Sequence, residues 1–206
     1  MKIILLPTDG YSSNSYLLVS SDEALLVDPS GDITDVTNAL LEHNASLKYI
    51  VLTHGHYDHM LSLDEAREKL GAPLCVHRFD EVALHDSRRS LFAMVGYPEI
   101  SFDKADMILE DGDILTIGDE KITVVHTPGH TPGCIMLHVG DDLITGDTLF
   151  DMSVGRSDFP GGDHETLLDS IFSVYKRFPR CRIYPGHGPS STIEKQIKYN
   201  PFTKRR

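Results

Sequence analysis

The chain has 206 residues, 40% hydrophobic and 24% charged, values of an ordinary globular protein that exclude disordered and fibrous classes. Acids outnumber bases 31 to 19 for a formal charge of −12, which argues against nucleic acid as a partner, because phosphate binding needs clustered Lys and Arg. Two features need an account: eleven histidines, and nine basic residues between Lys176 and Arg206 beside one acid, Glu194. With no linker or low-complexity stretch, residues 1–206 are expected to form a single domain.

In chain order, residues 2–6, 15–19 and 24–28 are short and apolar, the pattern of strands joined by polar turns, the first pairings antiparallel. Residues 32–43 place Ile33, Val36, Leu40 and Leu41 on one face of a helix. Residues 49–53 read as a buried strand, followed by a helix over about 58–70 that ends at Gly71. Residues 74–77 form a further strand, and 78–94 one broken or two short helices. Residues 114–117, 122–126, 135–139 and 143–145 read as consecutive strands, turning near Gly118-Asp119 and Gly140-Asp141. A helix over about 165–178, a strand at 182–184 and a short helix near 191–199 complete the chain. Strands then helices, twice over, imply two sheets packed face to face with helices outside.

The opening MKIILLP breaks at Pro7, too short an apolar run for a signal peptide, and no run reaches the roughly 20 residues that span a bilayer. Cys75, Cys134 and Cys181 are odd in number and lack a C-x-x-C pair, so no disulfide framework is expected and a reducing cytoplasm is the expected compartment. No membrane and no nucleic-acid partner is expected, and the assembly is expected to be a monomer or small homo-oligomer.

The segment Thr53-His54-Gly55-His56-Tyr57-Asp58-His59 follows an apolar strand and opens a helix. In extended chain, residues two apart share a side, so His54 and His56 can grip one cation. Asp58 and His59, at the turn, point differently and can serve a second. Neutral imidazoles suit zinc and iron, and Asp adds a hard anionic ligand. Four potential ligands in six residues distinguish this segment from a solvated polar loop with an Asp cap. Three later turns repeat the setting of a potential ligand beside glycines after an apolar strand: His130 in Thr127–Gly133, Asp147 in Thr145–Thr148, and His187 in Tyr184–Gly188. Seven ligands suffice for two metals, with Asp147 as a shared bridge and an open position for water. Of the other histidines, His126 could stand behind His130 or simply pack, and His43, His77, His85, His138 and His164 lack metal-like spacing.

In this order, His54-x-His56-x-Asp58-His59, His130, Asp147 and His187 resemble the metallo-β-lactamase superfamily over nearly the whole chain. The resemblance implies an α/β fold, the four-layer αβ/βα sandwich, with metals at one edge. It implies two divalent ions per chain, zinc first and iron or manganese as options. His54, His56 and His130 would hold the first, Asp58, His59 and His187 the second, with Asp147 and a hydroxide bridging. The stretch GDTLF…SVGRSDFPGGD (146–163) and the ending GHGP…T…E…NPF (186–202) are similar to the compact bacterial glyoxalase II-like, or hydroxyacylglutathione hydrolase-like, group. That similarity implies hydrolysis of a small anionic thioester such as S-lactoylglutathione. Arg156 matches a basic residue that contacts glutathione in the longer enzymes, but Asp158 replaces their tyrosine, and their helical C-terminal domain has no counterpart.

The chemistry agrees with a hydrolase. Two divalent ions bring a bridging water's pKa near neutrality, and the sequence lacks a G-x-S-x-G elbow or a catalytic Cys context. Asp58 and Asp147 are therefore the candidate catalytic carboxylates, Asp58 as acceptor of the water's proton. A site with no evident general acid suits a good leaving group, and a thiol pKa of about 8.5 makes thiolate one. Arg156 is the candidate substrate-binding residue, with pairing to Asp158 as the alternative role. The basic C-terminal stretch could steer anions or be a solvated helix face with a Lys204-Arg205-Arg206 tail. Alternatives on the same fold are a mononuclear iron persulfide dioxygenase, which shares the Gly-Arg-x-Asp-Phe pattern of 155–159, and a lactonase; a protein whose metals serve only stability is a third. A β-lactamase is not expected, since those enzymes lack a bridge like Asp147 and are exported.

Overall fold

The structure, a computed structural model, describes residues 1–10, 12–97 and 99–204. In the first half, β1 (Lys2–Leu6), β2 (Ser15–Ser20) and β3 (Glu23–Val27) run antiparallel. After α1 (Ile33–Glu42) come β4 (Ser46–Val51), α2 (Leu63–Leu70), β5 (Leu74–His77) and β6 (Met107–Leu109). These three strands add in parallel, giving the sheet order β1-β2-β3-β4-β5-β6.

In the second half, β7 (Ile114–Ile117), β8 (Glu120–His126), β9 (Ile135–Val139) and β10 (Asp142–Gly146) form an antiparallel meander. A two-stranded hairpin follows, β11 (Leu149–Phe150) and β12 (Ser153–Val154). Then come α3 (His164–Arg177), β13 (Arg182–Pro185), β14 (Ser191–Thr192) and α4 (Ile193–Tyr199). Because α3 crosses over, β13 lies parallel to β10, and the second sheet has the order β14-β13-β10-β9-β8-β7.

The period-two alternation of the strands separates three apolar layers. Leu17, Val19 and Leu26 face α1 and α2, joining Ile33, Val36, Leu63 and Ala66. Their neighbours Leu18, Leu25 and Val27 face the other sheet and meet Ile122, Val124, Leu137 and Ile144. Beyond it, Val125, Met136, Leu143 and Ile183 pack on Leu167, Ile171 and Val174 of α3 and Ile193 of α4. Three apolar layers between four structural ones make the αβ/βα sandwich.

Local differences from the sequence reading have backbone causes. The helix expected over 58–70 divides into a single 3₁₀ turn, Tyr57–His59, and α2. The Asp58 carbonyl accepts from Ser13 N at 3.1 Å and Ser62 N donates to Pro29 O at 2.9 Å, so groups that a continuous helix would pair internally serve two loops. The strand expected over 49–53 ends at Val51, because Thr53 N turns to the carboxylate of Asp28 at 2.7 Å. Over 78–94 only the 3₁₀ turns Glu81–Leu84 and Phe92–Val95 form, the second entered through Leu91 at φ +65°. Strands β6, β11, β12 and β14 escape the pattern because two or three residues cannot display alternation.

Candidate metal centre

The seven predicted ligands lie on four loops at one edge of the sandwich. His54, His56, Asp58 and His59 follow β4 in the first sheet; His130 follows β8, Asp147 follows β10 and His187 follows β13 in the second. The loops are stitched directly behind the site. Ile135 N donates to Thr53 O at 2.9 Å, Asn14 N to Gly186 O at 2.6 Å, and the Asn14 amide to the carbonyls of Pro185 and Gly188 at 2.9 Å each.

Three groups form. His130 Nε2 lies 3.2 Å from His54 Nε2 and 2.9 Å from His56 Nδ1. Ligand atoms about 2.1 Å from a tetrahedral cation stand about 3.4 Å apart, so these nitrogens nearly match one ion's first shell. His187 Nε2 lies 3.1 Å from Asp58 Oδ2, and His59 Nε2 lies 4.0 Å from the same oxygen. Between the two groups stands Asp147, with Oδ1 3.3 Å from His59 Nε2 and Oδ2 3.7 Å from His130 Nε2 and 3.5 Å from His187 Nε2.

Hydrogen bonds on the far side of each ring set the tautomers. His59 Nδ1 lies 2.8 Å from Asp28 Oδ2 and His130 Nδ1 2.6 Å from Arg156 O, so in both rings Nδ1–H donates outward and Nε2 keeps its lone pair for the centre. Thr53 Oγ1 donates to Asp28 Oδ2 at 2.7 Å and can accept from His54 Nδ1 at 3.2 Å, which frees His54 Nε2 in the same way. A lone pair on His59 Nε2 therefore faces Asp147 Oδ1, and neither buried atom has a hydrogen-bond partner. Two acceptors in that position need a cation between them. The residues thus fit a pair of divalent ions. Close approach is built in as well, since a Cβ on Gly186 would sit 2.2 Å from Asp147 Oδ1.

The electrostatics follow. Burial first, then neighbouring imidazoles, drives His54 well below the ordinary histidine pKa and His56 down to about 3, leaving both neutral and ready to ligate. For His59 burial works downward, but the charges of Asp28 and Asp147 prevail and raise it well above the ordinary value, which marks a place where positive charge is favoured. Burial would raise Asp147 and Asp58, yet His59, His130 and His187 hold Asp147 far below the carboxylate range, and the His187 hydrogen bond holds Asp58 below it.

Above the centre opens a cleft of about 440 Å³ lined by Tyr57, Leu91, Phe150, Val154, Arg156 and Phe159 among others. Arg156 forms a two-pronged pair with Asp158 at 2.9 and 2.7 Å and lies over the Phe159 ring at 4.1 Å. Arg156 thus lines the cleft and is paired with Asp158.

Two carboxylates missed by the sequence reading organise the site. Asp28, buried at φ +52°, accepts from Thr53 N, Thr53 Oγ1 and His59 Nδ1. Asp80 accepts from Gly55 N at 2.9 Å, Gly133 N at 2.8 Å and Thr131 Oγ1 at 2.6 Å, joining the His54–His56 loop to the His130 loop. In sequence Asp28 reads as the end of a strand before Pro29, and Asp80 as one acid in a helical stretch; nothing local marks either. His126 ends β8, lies 2.9 Å from Pro132 O through Nε2, and stacks on buried His77 with centroids 4.1 Å apart. Burial, His126 and Arg78 lower His77 to about 4. A lowered folded pKa on a base means stability present above the ordinary value and lost as pH falls from about 6.5 toward 4, at up to about 1.4 kcal/mol per pH unit. His77→Phe is expected to reduce that acid loss, measured as the melting temperature between pH 7 and pH 4.

The three cysteines are buried and free, and burial pushes the Cys75 thiol up to about 12, so none is a thiolate nucleophile. In the basic C-terminal stretch, Arg182 pairs with Asp142 and Lys195 with Asp151; Arg205 and Arg206 lie outside the described residues. No helix among the described residues is long and apolar enough to cross a membrane.

This fold and donor set define a metallo-hydrolase class, and comparison with known proteins agrees. The model of the metallo-beta-lactamase superfamily matches residues 8–187, and the chain belongs to that superfamily. It is 35% identical to the "Probable metallo-hydrolase YqgX" of Bacillus subtilis (strain 168), covering 98% of this chain and 97% of that one. It is 32% identical to the hydroxyacylglutathione hydrolase GloC of Haemophilus influenzae, covering 98% of each. Among solved structures it resembles the BLEG-1 B3 metallo-beta-lactamase, with TM-score 0.90, 32% identity, and coverage of 99% of this chain and 100% of that one. It also resembles TTHA1623 in a di-iron-bound form, with TM-score 0.81, 28% identity, and coverage of 98% and 100%.

Proposed function

We propose that the protein is a dinuclear metal-dependent hydrolase of small anionic thioesters. The observation that carries this reading is Asp147, one carboxylate whose two oxygens lie within 3.3–3.7 Å of nitrogens from both ligand groups. His54, His56 and His130 would hold one ion, Asp58, His59 and His187 the other, and Asp147 both. When bound, such ions ionise water near neutral pH and polarise a carbonyl. The chain's own residues do the rest. Asp58, kept ionised by His187 and facing the cleft, is placed to take a proton at Oδ2. Tyr57, Leu91, Phe150, Val154 and Phe159 exclude water around the group that leaves. Arg156 offers a guanidinium to a substrate carboxylate at the rim. The likeness to GloC supports a thioester of glutathione as the first substrate to try, and TTHA1623 makes iron as reasonable as zinc.

Hydrolysis of S-lactoylglutathione by protein loaded with zinc, iron or manganese tests the reading, with metal counted per chain. Two ions and turnover support it. One iron with oxygen uptake on glutathione persulfide would replace it with the dioxygenase, and turnover confined to acyl-homoserine lactones with the lactonase. Activity confined to β-lactams would align the chain with BLEG-1, its structural neighbour.

The Arg156–Asp158 pair gives a graded prediction. The pair is exposed and screened by solvent, so it is weak and readily exchanged. Asp158→Ala is expected to free the guanidinium and lower KM for an anionic thioester about threefold, and Arg156→Ala to raise it. Steady-state kinetics at low and high salt would show both effects shrinking with ionic strength.

A further inference from the structure

The wall of the cleft opposite Tyr57 and Leu91 is the β11–β12 hairpin, which supplies Phe150, Ser153 and Val154. The hairpin begins two residues after Asp147 and ends two residues before Arg156, whose carbonyl orients His130. Its own pairing is two residues long, and its turn passes through Met152 at φ +61°, a left-handed conformation that is costly for a non-glycine residue. A ribbon this short does not hold its shape alone.

What holds it is α4 and the residues flanking it. Gln196, fully buried, accepts from Met152 N at 2.8 Å and donates to Asp151 Oδ1 at 3.1 Å and Ser191 Oγ at 2.8 Å. Asn200, 1% exposed, donates to Ser153 O at 3.0 Å and to Gln196 Oε1 at 3.2 Å. Ser191 and Lys195 complete the cage around Asp151 at 2.6 and 2.9 Å. Both residues of the turn, Asp151 and Met152, and Ser153 at the start of β12 are thus gripped by side chains more than thirty-five positions later in the chain.

We propose that Gln196, with Asn200, is a positioning residue for substrate: it fixes the hairpin so that Phe150, Ser153 and Val154 form one wall of the substrate cleft. The inference rests on the hydrolase reading of that cleft. Gln196 touches no metal ligand and acts through Met152 and Asp151. Its effect therefore falls on substrate binding and spares the chemistry. The polarity of the network explains why a buried amide stands on an otherwise apolar helix face. Its carbonyl meets a backbone donor and its NH₂ meets a carboxylate, a division that neither Met nor Glu reproduces at this position.

The test uses zinc-loaded full-length protein and S-lactoylglutathione, with hydrogen exchange at the Met152 amide read in the same samples. Gln196→Met is expected to raise KM about tenfold with kcat and zinc content within twofold, and to speed exchange at Met152 at least tenfold while Ile135 and Val51 stay protected. The double change Asp151→Asn with Gln196→Glu, which exchanges donor and carboxylate, is expected to restore KM and protection. If Gln196→Met does not fold, Asn200→Asp replaces the donor to Ser153 O and Gln196 Oε1 by an acceptor, and is expected to move KM the same way. An unchanged KM with a lowered melting temperature, or a loss confined to kcat, overturns the proposal. Should the wild-type protein not hydrolyse the thioester at all, the substrate assignment fails alone, and the exchange result decides: unchanged protection at Met152 overturns the positioning role.

Discussion

Asp147→Ala is expected to lower thioester hydrolysis by about a thousandfold or more while the chain still folds. Among the described residues the carboxylate lies between both sets of nitrogens, so its loss would remove a ligand from each. Charge stabilisation of several kcal/mol is at stake, and about 4 kcal/mol corresponds to a thousandfold in rate. The fold is expected to survive, since this carboxylate itself opposes burial and the loops around it are held elsewhere, by Asn14, Asp28 and Asp80. Metal content and kcat on the same preparation separate the cases. Full occupancy by two ions with wild-type kcat would remove the bridging role.

Asp28 gives the opposite balance, a residue outside the donor set on which folding itself depends. Asp28→Ala leaves three buried donors, Thr53 N, Thr53 Oγ1 and His59 Nδ1, without their acceptor. At about 1–3 kcal/mol for each orphan the loss is about 3–9 kcal/mol, a large part of the 5–15 kcal/mol by which domains are stable. Little folded protein is expected. Asp28→Asn keeps the shape and one acceptor, and is expected to fold with metal affinity lowered about 10–100-fold, because His59 loses the anion behind it. Chemical denaturation and competition with a chelator measure the two effects. A fully stable Asp28→Ala variant with unaltered affinity would show that the Thr53–His59 corner is held by something else.

The contrast between these two aspartates shows what was legible in the sequence. The candidate ligands announce themselves because each stands in a glycine-bearing turn after an apolar run, as with His130, Asp147 and His187, or in the dense His54–His59 cluster. The sandwich was legible for a related reason: strands such as β2 are short apolar runs between polar turns, and the left-handed Gly71 marks a helix end. Asp28 and Asp80 act through partners twenty-five or more positions away, and no local pattern encodes such a partner. The same holds for Gln196, which occupies an apparently ordinary helix position. Its meaning lies entirely in the tip of a hairpin too short to be seen by alternation. The break of the expected helix at Tyr57–His59 belongs here too, because the competing acceptors and donors come from residues 13 and 29.

The ligands are divided between two sheets, His54 to His59 on one and His130, Asp147 and His187 on the other. The thickness of the apolar layer between those sheets therefore acts as a gauge for the bite of the centre. Leu18, Leu25 and Val51 meet Ile122, Leu137 and Ile144 across that layer, and their combined volume sets how far apart the two jaws stand. A change in the volume of this core is expected to change the spacing of the two halves of the site, at positions where neither charge nor ligand chemistry would direct a search.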